Sequence, residues 1–381
     1  MIFLLCPDSF KGTLTSLQAA EAIRKGLSKT LGAKHEYWIH PIADGGEGTV
    51  EAVMAACPGK KHSVTVHGPL GEKRKSTFGI IENGKTAVLE MAECSGLLLV
   101  PEKKRNPFLT TTYGVGQMIR AALDKKVQKI ILGIGGSATN DGGIGMAQAL
   151  GIKFLDKSGK EISVRKKEGY SAQSLEFLAN VDFSGLDPRI RHTEIIVCSD
   201  VKNYLLGHKG ASFVYGEQKG AQKKDLPILD GLLGHLANIV GTRHALSLPK
   251  IVGGGAAGGL GAGLVAFLGA KIESGLPYLA ELTGLVKKIK ACDVVITGEG
   301  RMDRQTEFDK GPYLIAKMAK KFNKRVYALN GFLAKNSCGF DGVYGTNEFA
   351  DFDAKNIKKN ARSLLSQLAE KLGSLFSQQG D

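Results

Sequence analysis

Four glycine-rich stretches hold the residues able to do chemistry in this chain: ADGGEGT from Ala43, GIGGSATNDGG from Gly133, GGGAAGGLGAG from Gly253 and TGEGRMD from Thr297. Glycine lacks the Cβ that blocks close backbone approach, so such loops can wrap amide N–H groups around an anion. The acids set among them could hold a divalent cation. Phosphoryl transfer needs both. Glycine accounts for 50 of 381 residues, about 13% against a usual ~7%, and the excess is clustered without a fixed period, so a collagen-like repeat is not its cause.

Charge placement narrows the chemistry. Asp8, Ser9 and Lys11 follow IFLLC, Asp44 and Glu47 follow HPIA, and Glu299, Arg301 and Asp303 follow DVVI. Each apolar run reads as a strand, and in open parallel sheets ligands bind past the carboxyl ends of the strands. Helix capping accounts for one acid at each turn but not for Lys11 or Arg301. The three turns therefore point to one shared rim.

Other chemistries lack their residues. No GxxxxGK[ST], HRD or DFG occurs, so phosphoryl transfer here would use neither a P-loop nor the protein-kinase architecture. Ser137 is not in a GxSxG turn, and the eight histidines show no HExxH or HxH spacing. Cys6, Cys57, Cys94, Cys198, Cys292 and Cys338 are far apart with no CxxC, which favours reduced thiols over zinc or disulfides. A GxGxxA from Gly133 to Ala138, with Asp156 placed 23 residues from Gly133, keeps an NAD(P)-dependent oxidoreductase as one alternative. The continuation TNDGG, with two more glycines where a helix should begin, weighs against it. A non-catalytic nucleotide or sugar-acid binding protein is the other alternative, because fold alone does not fix function.

The elements that must position these turns alternate strand and helix. IFLLC precedes an amphipathic helix over Leu17 to Thr30, with Leu17, Ala20, Ile23 and Leu27 on one face. HEYWIHPIA and a helix after Glu47 continue the pattern, which predicts parallel strands. From about Lys61 three strand-like runs separated by GPLG and ENGK predict an antiparallel meander. A helix over Thr112 to Lys125, a strand over Lys129 to Leu132 and a helix over Ile144 to Leu150 follow. Near the C-terminus DVVITGEG, a helix over Pro312 to Phe322, RVYALNG, DGVYG and a helix over Ile357 to Leu372 restore the first style. The reading is an α/β fold: one parallel-sheet domain formed by both chain ends, residues 1–62 and 285–381, with a second mixed α/β domain, residues 63–284, inserted and carrying the glycine loops.

The formal net charge of +14 is spread along the chain without base-stacking aromatics, which excludes a nucleic-acid partner and suits attraction of anionic small substrates. MIFLLC has no basic leader region, so it reads as a strand of a cytoplasmic protein and not as a signal peptide. The 20 residues from Ile251 to Ala270 are uncharged, but 13 are Gly or Ala. That is too little apolar area for a membrane span, and predicts a buried loop followed by a short helix from about Leu264.

With PDSFKGTLTS, ADGGEGT, EMAECSGL, RNPFLTTTYG, GIGGSATNDGG, SDVKNYLLGHKGAS, EQKGA, GGGAAGGLGAG and TGEGRMDRQT in this order, the chain resembles the type I glycerate kinase family. The resemblance implies a Rossmann/flavodoxin-like domain with a second α/β domain inserted, the active site in the cleft between them, and Mg²⁺-dependent transfer from ATP to glycerate in a bacterial cytosolic enzyme yielding 2-phosphoglycerate. Two places depart from the family pattern: Ser199 and Tyr204 replace Cys and Pro in SDVKNYL, and Asp309 replaces Gly beside Lys310. On this footing Arg301 suits the glycerate carboxylate, because its guanidinium fork matches two oxygens. Lys11 would face the transferring phosphoryl group, and Asp44 would accept the hydroxyl proton. Asp200 and Asp303 would hold Mg²⁺, with Asp44 as a further donor. Gly135, Gly136, Ser137, Asn140, Gly255 and Gly258 would bind ATP, and Ser9, Glu47, Asp141 and Glu299 the substrate, while which glycine loop takes the nucleotide and which the glycerate stays open. Self-association stays open.

Overall fold

Two strands almost 300 residues apart in sequence lie side by side: Ile2–Leu5 pairs in parallel with Val294–Thr297, Phe3 opposite Val294. The computed structural model describes residues 1–244, 247–302, 311–334, 339–348 and 354–378, and these divide into two compact units. The first unit comprises Met1–Ala43, Glu51–Cys57 and Leu276–Asp381. Its sheet has five strands, all parallel, in the order Gly342–Gly345, Arg325–Asn330, Val294–Thr297, Ile2–Leu5, Glu36–Ile39. Because helices cover both faces, the central strand Ile2–Leu5 is apolar at every position, and its neighbour Val294–Thr297 at all but the last, and not at alternate ones. Phe3 and Leu5 face a core completed by Ile23, Leu27, Leu365 and Leu372; Leu4 and Cys6 face Leu276, Ile289 and Ile315.

Helix Ser16–Leu31 starts at a capping box between Thr15 and Gln18 and stops at Gly32, where φ is 77°. Its inner face meets the closing helix Ala354–Gln378 so closely at Gly26 that any side chain there would collide with the Ser366 carbonyl and the Ala369 methyl. Exposed pairs along the seam, Lys29 with Glu370 and Arg362 with Glu21, add little beside this apolar contact.

The second unit comprises Asp44–Val50 and Pro58–Gly275. Its six-stranded sheet runs Lys271–Glu273, Glu194–Cys198, Lys129–Gly133, Thr86–Glu90, Lys73–Ile81, Gly59–His67. The first four strands are mutually parallel, and the last two are the antiparallel meander, turning through Gly71 (φ 92°) and through Asn83 and Gly84. The uncharged run from Ile251 forms a buried loop and then helix Leu260–Leu268. That helix begins four residues before the sequence suggests: Gly261 and Gly263 weaken it, yet they let its backbone lie on the carbonyls of Gly253 and Gly142. Among the described residues no helix is long and apolar enough to cross a membrane.

Filling the seam at Gly26 gives a direct check on the first unit. Gly26→Val should cost about 1–3 kcal/mol, since added methyl groups must push two packed helices apart. An unchanged urea midpoint would contradict the close contact.

Candidate active site

In the first unit the turn after Ile2–Leu5 is stitched to the turn after Val294–Thr297. The Asp8 N–H donates to the Gly298 carbonyl (2.9 Å), Thr297 Oγ1 to the Cys6 carbonyl (2.9 Å), and the Ser9 N–H to Asp8 Oδ1 (2.6 Å). Asn330, at the end of the next strand, accepts the Glu299 N–H at Oδ1 (3.2 Å). Arg301 begins the two-residue strand Arg301–Met302, which pairs in parallel with Phe332–Leu333, and its exposed guanidinium lies 5.0 Å over the Phe332 ring. Ser9, Lys11, Glu299 and Arg301 thus share the carboxyl rim of one sheet, with Lys11 and Arg301 its exposed cations. Asp303, Asp309 and Lys310 lie outside the described residues.

The rim of the second unit is built by backbone on backbone. Gly45 (φ 90°) accepts the Gly135 N–H at its carbonyl (3.0 Å), while its Cα lies against the carbonyl of Cys198, the last residue of its strand. A Cβ at Gly133 or Gly275 would collide with the carbonyls of Gly45 and Asp44 in turn. Asp44, half-buried, accepts the Gly46 N–H at Oδ1 (2.8 Å). Asp200 Oδ1 accepts from Ser274 Oγ (2.7 Å) and from the Gly275 N–H (2.8 Å), so the turns after two neighbouring strands are tied together. Glu47 is exposed beside them.

The loop from Gly133 to Gly143 presents only its middle to solvent. Gly136 is exposed with φ 75°, and its carbonyl accepts the Leu97 N–H (2.8 Å). Among the described residues the amides of Gly136 and Ser137 have no partner, whereas the Gly135 amide is already donated to Gly45. Asn140 and Asp141 are fully buried beneath the loop. Asp141 accepts from the Thr112 N–H (2.8 Å), Thr112 Oγ1 (2.7 Å) and the Gly143 N–H (3.1 Å). Gly258 accepts the Gly142 N–H (3.0 Å), and Gly255 donates to the Asn203 carbonyl (3.0 Å), so both are buried against the loop or its neighbour.

Asp156 decides the dinucleotide reading. It follows the strand of a separate two-stranded hairpin, and its Oδ1 accepts from the Ser158 N–H and Oγ and the Lys160 N–H in an exposed turn. It is no partner for a ribose at the end of the next parallel strand, and the spacing match carries no function.

Glu90 is a buried acid at this rim that the sequence does not single out. It ends the buried strand Thr86–Glu90, is 5% exposed, and accepts the Gly48 N–H (3.0 Å) and the Val50 N–H (2.5 Å) on its two oxygens, anchoring the ADGGEG turn. The one available signal is an acid closing an otherwise apolar strand. Burial pushes its carboxyl from 4.5 up to about 7; the two N–H donors oppose this, and Glu93 and Glu47 add to it.

The chain as a whole is similar to known proteins. The model of the glycerate kinase family matches residues 3–377. Glycerate kinase from Halalkalibacterium halodurans is 46% identical over 90% of this chain and 87% of its own length, and glycerate 2-kinase from Escherichia coli K12 is 43% identical over 97% and 98%. A crystal structure of a glycerate kinase 2 from Salmonella typhimurium LT2 superposes with a TM-score of 0.86 at 39% identity, covering 100% of this chain and 99% of that one. The class is that of phosphotransferases acting on an alcohol group. The chain belongs to the glycerate kinase family.

Glu90 makes a prediction about pH. Between pH 4.5 and 7 the folded protein keeps a proton that the unfolded chain has lost, so stability should fall as pH rises through this window and level off above it. The contribution is about 3 kcal/mol. In denaturant melts at both ends of the window wild type should lose stability relative to the non-titrating Glu90→Gln as pH rises, by about that amount, and parallel profiles would show that Glu90 does not titrate there.

Proposed function

We propose that this protein transfers the γ-phosphoryl group of ATP to D-glycerate, at the 2-hydroxyl, with Mg²⁺. The observation that carries this reading is the nearly full-length match to the glycerate kinase family, together with a glycine loop in which the exposed Gly136 and the adjoining Ser137 have amides without a partner among the described residues. Those amides, at Gly136 and Ser137, suit phosphate oxygens, because fixed N–H dipoles stabilise an anion without reorganising. Lys11 adds a point charge for the transferring group, and Arg301 takes the glycerate carboxylate as a bidentate pair. Asp44 accepts the proton of the attacking hydroxyl.

Among the described residues no three His, Cys, Asp or Glu side chains converge as a metal cage. Mg²⁺ carried by a nucleotide takes one or two protein carboxylates and fills its shell with phosphate oxygens and water. Asp44 and Asp200 would be those carboxylates. When bound, the ion offsets charge on the phosphates.

A coupled assay of ADP formation with D-glycerate and with glycerol tests the proposal. Binding energy from the carboxylate should orient the hydroxyl, so glycerol should be a poor substrate. Phosphorus NMR of the product should show the ester on the 2-position. Equal rates with glycerol, or a 3-phospho product, would overturn the corresponding part of the reading.

A further inference from the structure

A lysine is buried directly behind the glycine loop. Lys219, in the turn Glu217–Lys219, is 2% exposed, and its Nζ donates to the Thr139 carbonyl at 2.7 Å across 80 residues of sequence. Its charge also interacts with the fully buried Asp141. Lysine is almost never buried this completely unless paired, and an apolar chain of similar length would fill the same space without desolvating an ammonium. Because it is closed off from solvent, this ammonium cannot reach a diffusing substrate. Its charge acts on the protein itself.

What it acts on is the far half of the loop. The near half is held by the Ala138 N–H on the Ser95 carbonyl (2.9 Å) and by Thr110 Oγ1 on the Ala138 carbonyl (2.8 Å). Beyond it, Thr139 Oγ1 and Asn140 Oδ1 are buried with no partner among the described residues. The side chains of this segment therefore do not fix its shape by themselves. It is fixed chiefly from outside: by Lys219 on the Thr139 carbonyl, by Ser212 Oγ accepting from Asn140 Nδ2 (3.1 Å), and by the Thr112 N–H and Oγ1 on Asp141, to which the Gly143 N–H adds a third donor from within the segment. A carboxylate accepts all three only while it is ionised, and in a buried site that requires a nearby cation.

We propose that Lys219 is a positioning residue for catalysis: paired with Asp141 and clamped on Thr139, it holds the 139–143 segment so that the Gly136 and Ser137 amides stay presented to a phosphate of ATP. The proposal rests on the reading that this loop receives that phosphate. Burial lowers the Lys219 amine from 10.5 to about 7 even with Asp141 opposing the shift, so the neighbouring carboxylate favours the charged form that burial disfavours.

A double-mutant cycle of Lys219→Met and Asp141→Asn tests it, read by kcat, by KM for ATP and for glycerate, and by amide hydrogen exchange at Gly142 and Gly143. Lys219→Met should raise KM for ATP by about tenfold or more, with a smaller effect on KM for glycerate, because it strands a buried carboxylate behind the loop. In the Asp141→Asn background the same change should cost several-fold less in KM and in exchange protection. Failure of Lys219→Met to fold while the double variant folds would be the same coupling in its strongest form. Equal costs in both backgrounds, or a double variant that does not fold, would overturn the pairing. A Lys219→Met enzyme with wild-type KM for ATP would overturn the positioning role. Gly136→Val separates the premise: if it leaves KM for ATP unchanged, the phosphate reading of the loop fails and the catalytic role of Lys219 with it, while the exchange cycle still reports on the Lys219–Asp141 pair.

Discussion

The contact on which the second unit's rim depends is between backbones. Gly45 lies so near the end of strand Glu194–Cys198 that a Cβ there would collide with the Cys198 carbonyl, and its own carbonyl takes the Gly135 N–H. Gly133 and Gly275 close on the same turn from either side. A side chain at any of these positions would collide with main chain, which cannot move aside without breaking a parallel ladder. The excess of glycine in this sequence is therefore a packing requirement before it is a chemical one. Its chemical result is that the next two amides, at the exposed Gly136 and at Ser137 beside it, have no acceptor among the described residues.

Charge is spent on holding these turns. Glu90 and Asp141 bind no solvent-facing group; each gathers backbone N–H donors from a loop that reaches the rim. Burying carboxylates costs stability, and both are pushed up in pKa by desolvation. An apolar core would be cheaper. The polar version is directional, since a carboxylate with two or three N–H partners fixes a loop in register where a methyl group only fills space. Exposed cations at the other sheet's rim, Lys11 and Arg301, carry no such burden and remain at the surface.

Much of the fold could be read from the chain. Apolar runs such as IFLL and KIIL, two turn signals in the meander and the stripe Leu17, Ala20, Ile23 and Leu27 predict their elements to within a residue or two, because one face or both faces of each must be buried. Helix Leu260–Leu268 starts earlier than its composition suggests, since close backbone packing outweighs the propensity cost of two glycines. At the site, residue types indicate the rim but not depth. Nothing in TNDGG tells that Asn140 and Asp141 lie beneath the loop while Gly136 lies on it, nor that the amide of Gly135 is consumed by a turn 90 residues away. Glu90 and Lys219 are invisible for the same reason: their roles come from partners distant in sequence, which only the folded chain brings near.

The central claim is that the Gly136 and Ser137 amides receive a phosphate of ATP, and the most direct measurement is an amide NMR titration of isotope-labelled protein with Mg²⁺ and a non-hydrolysable ATP analogue. The account predicts large shifts at Gly136 and Ser137 and a much smaller one at Gly135, whose N–H is already held by Gly45. Saturation with the nucleotide that leaves Gly136 and Ser137 unmoved would contradict it.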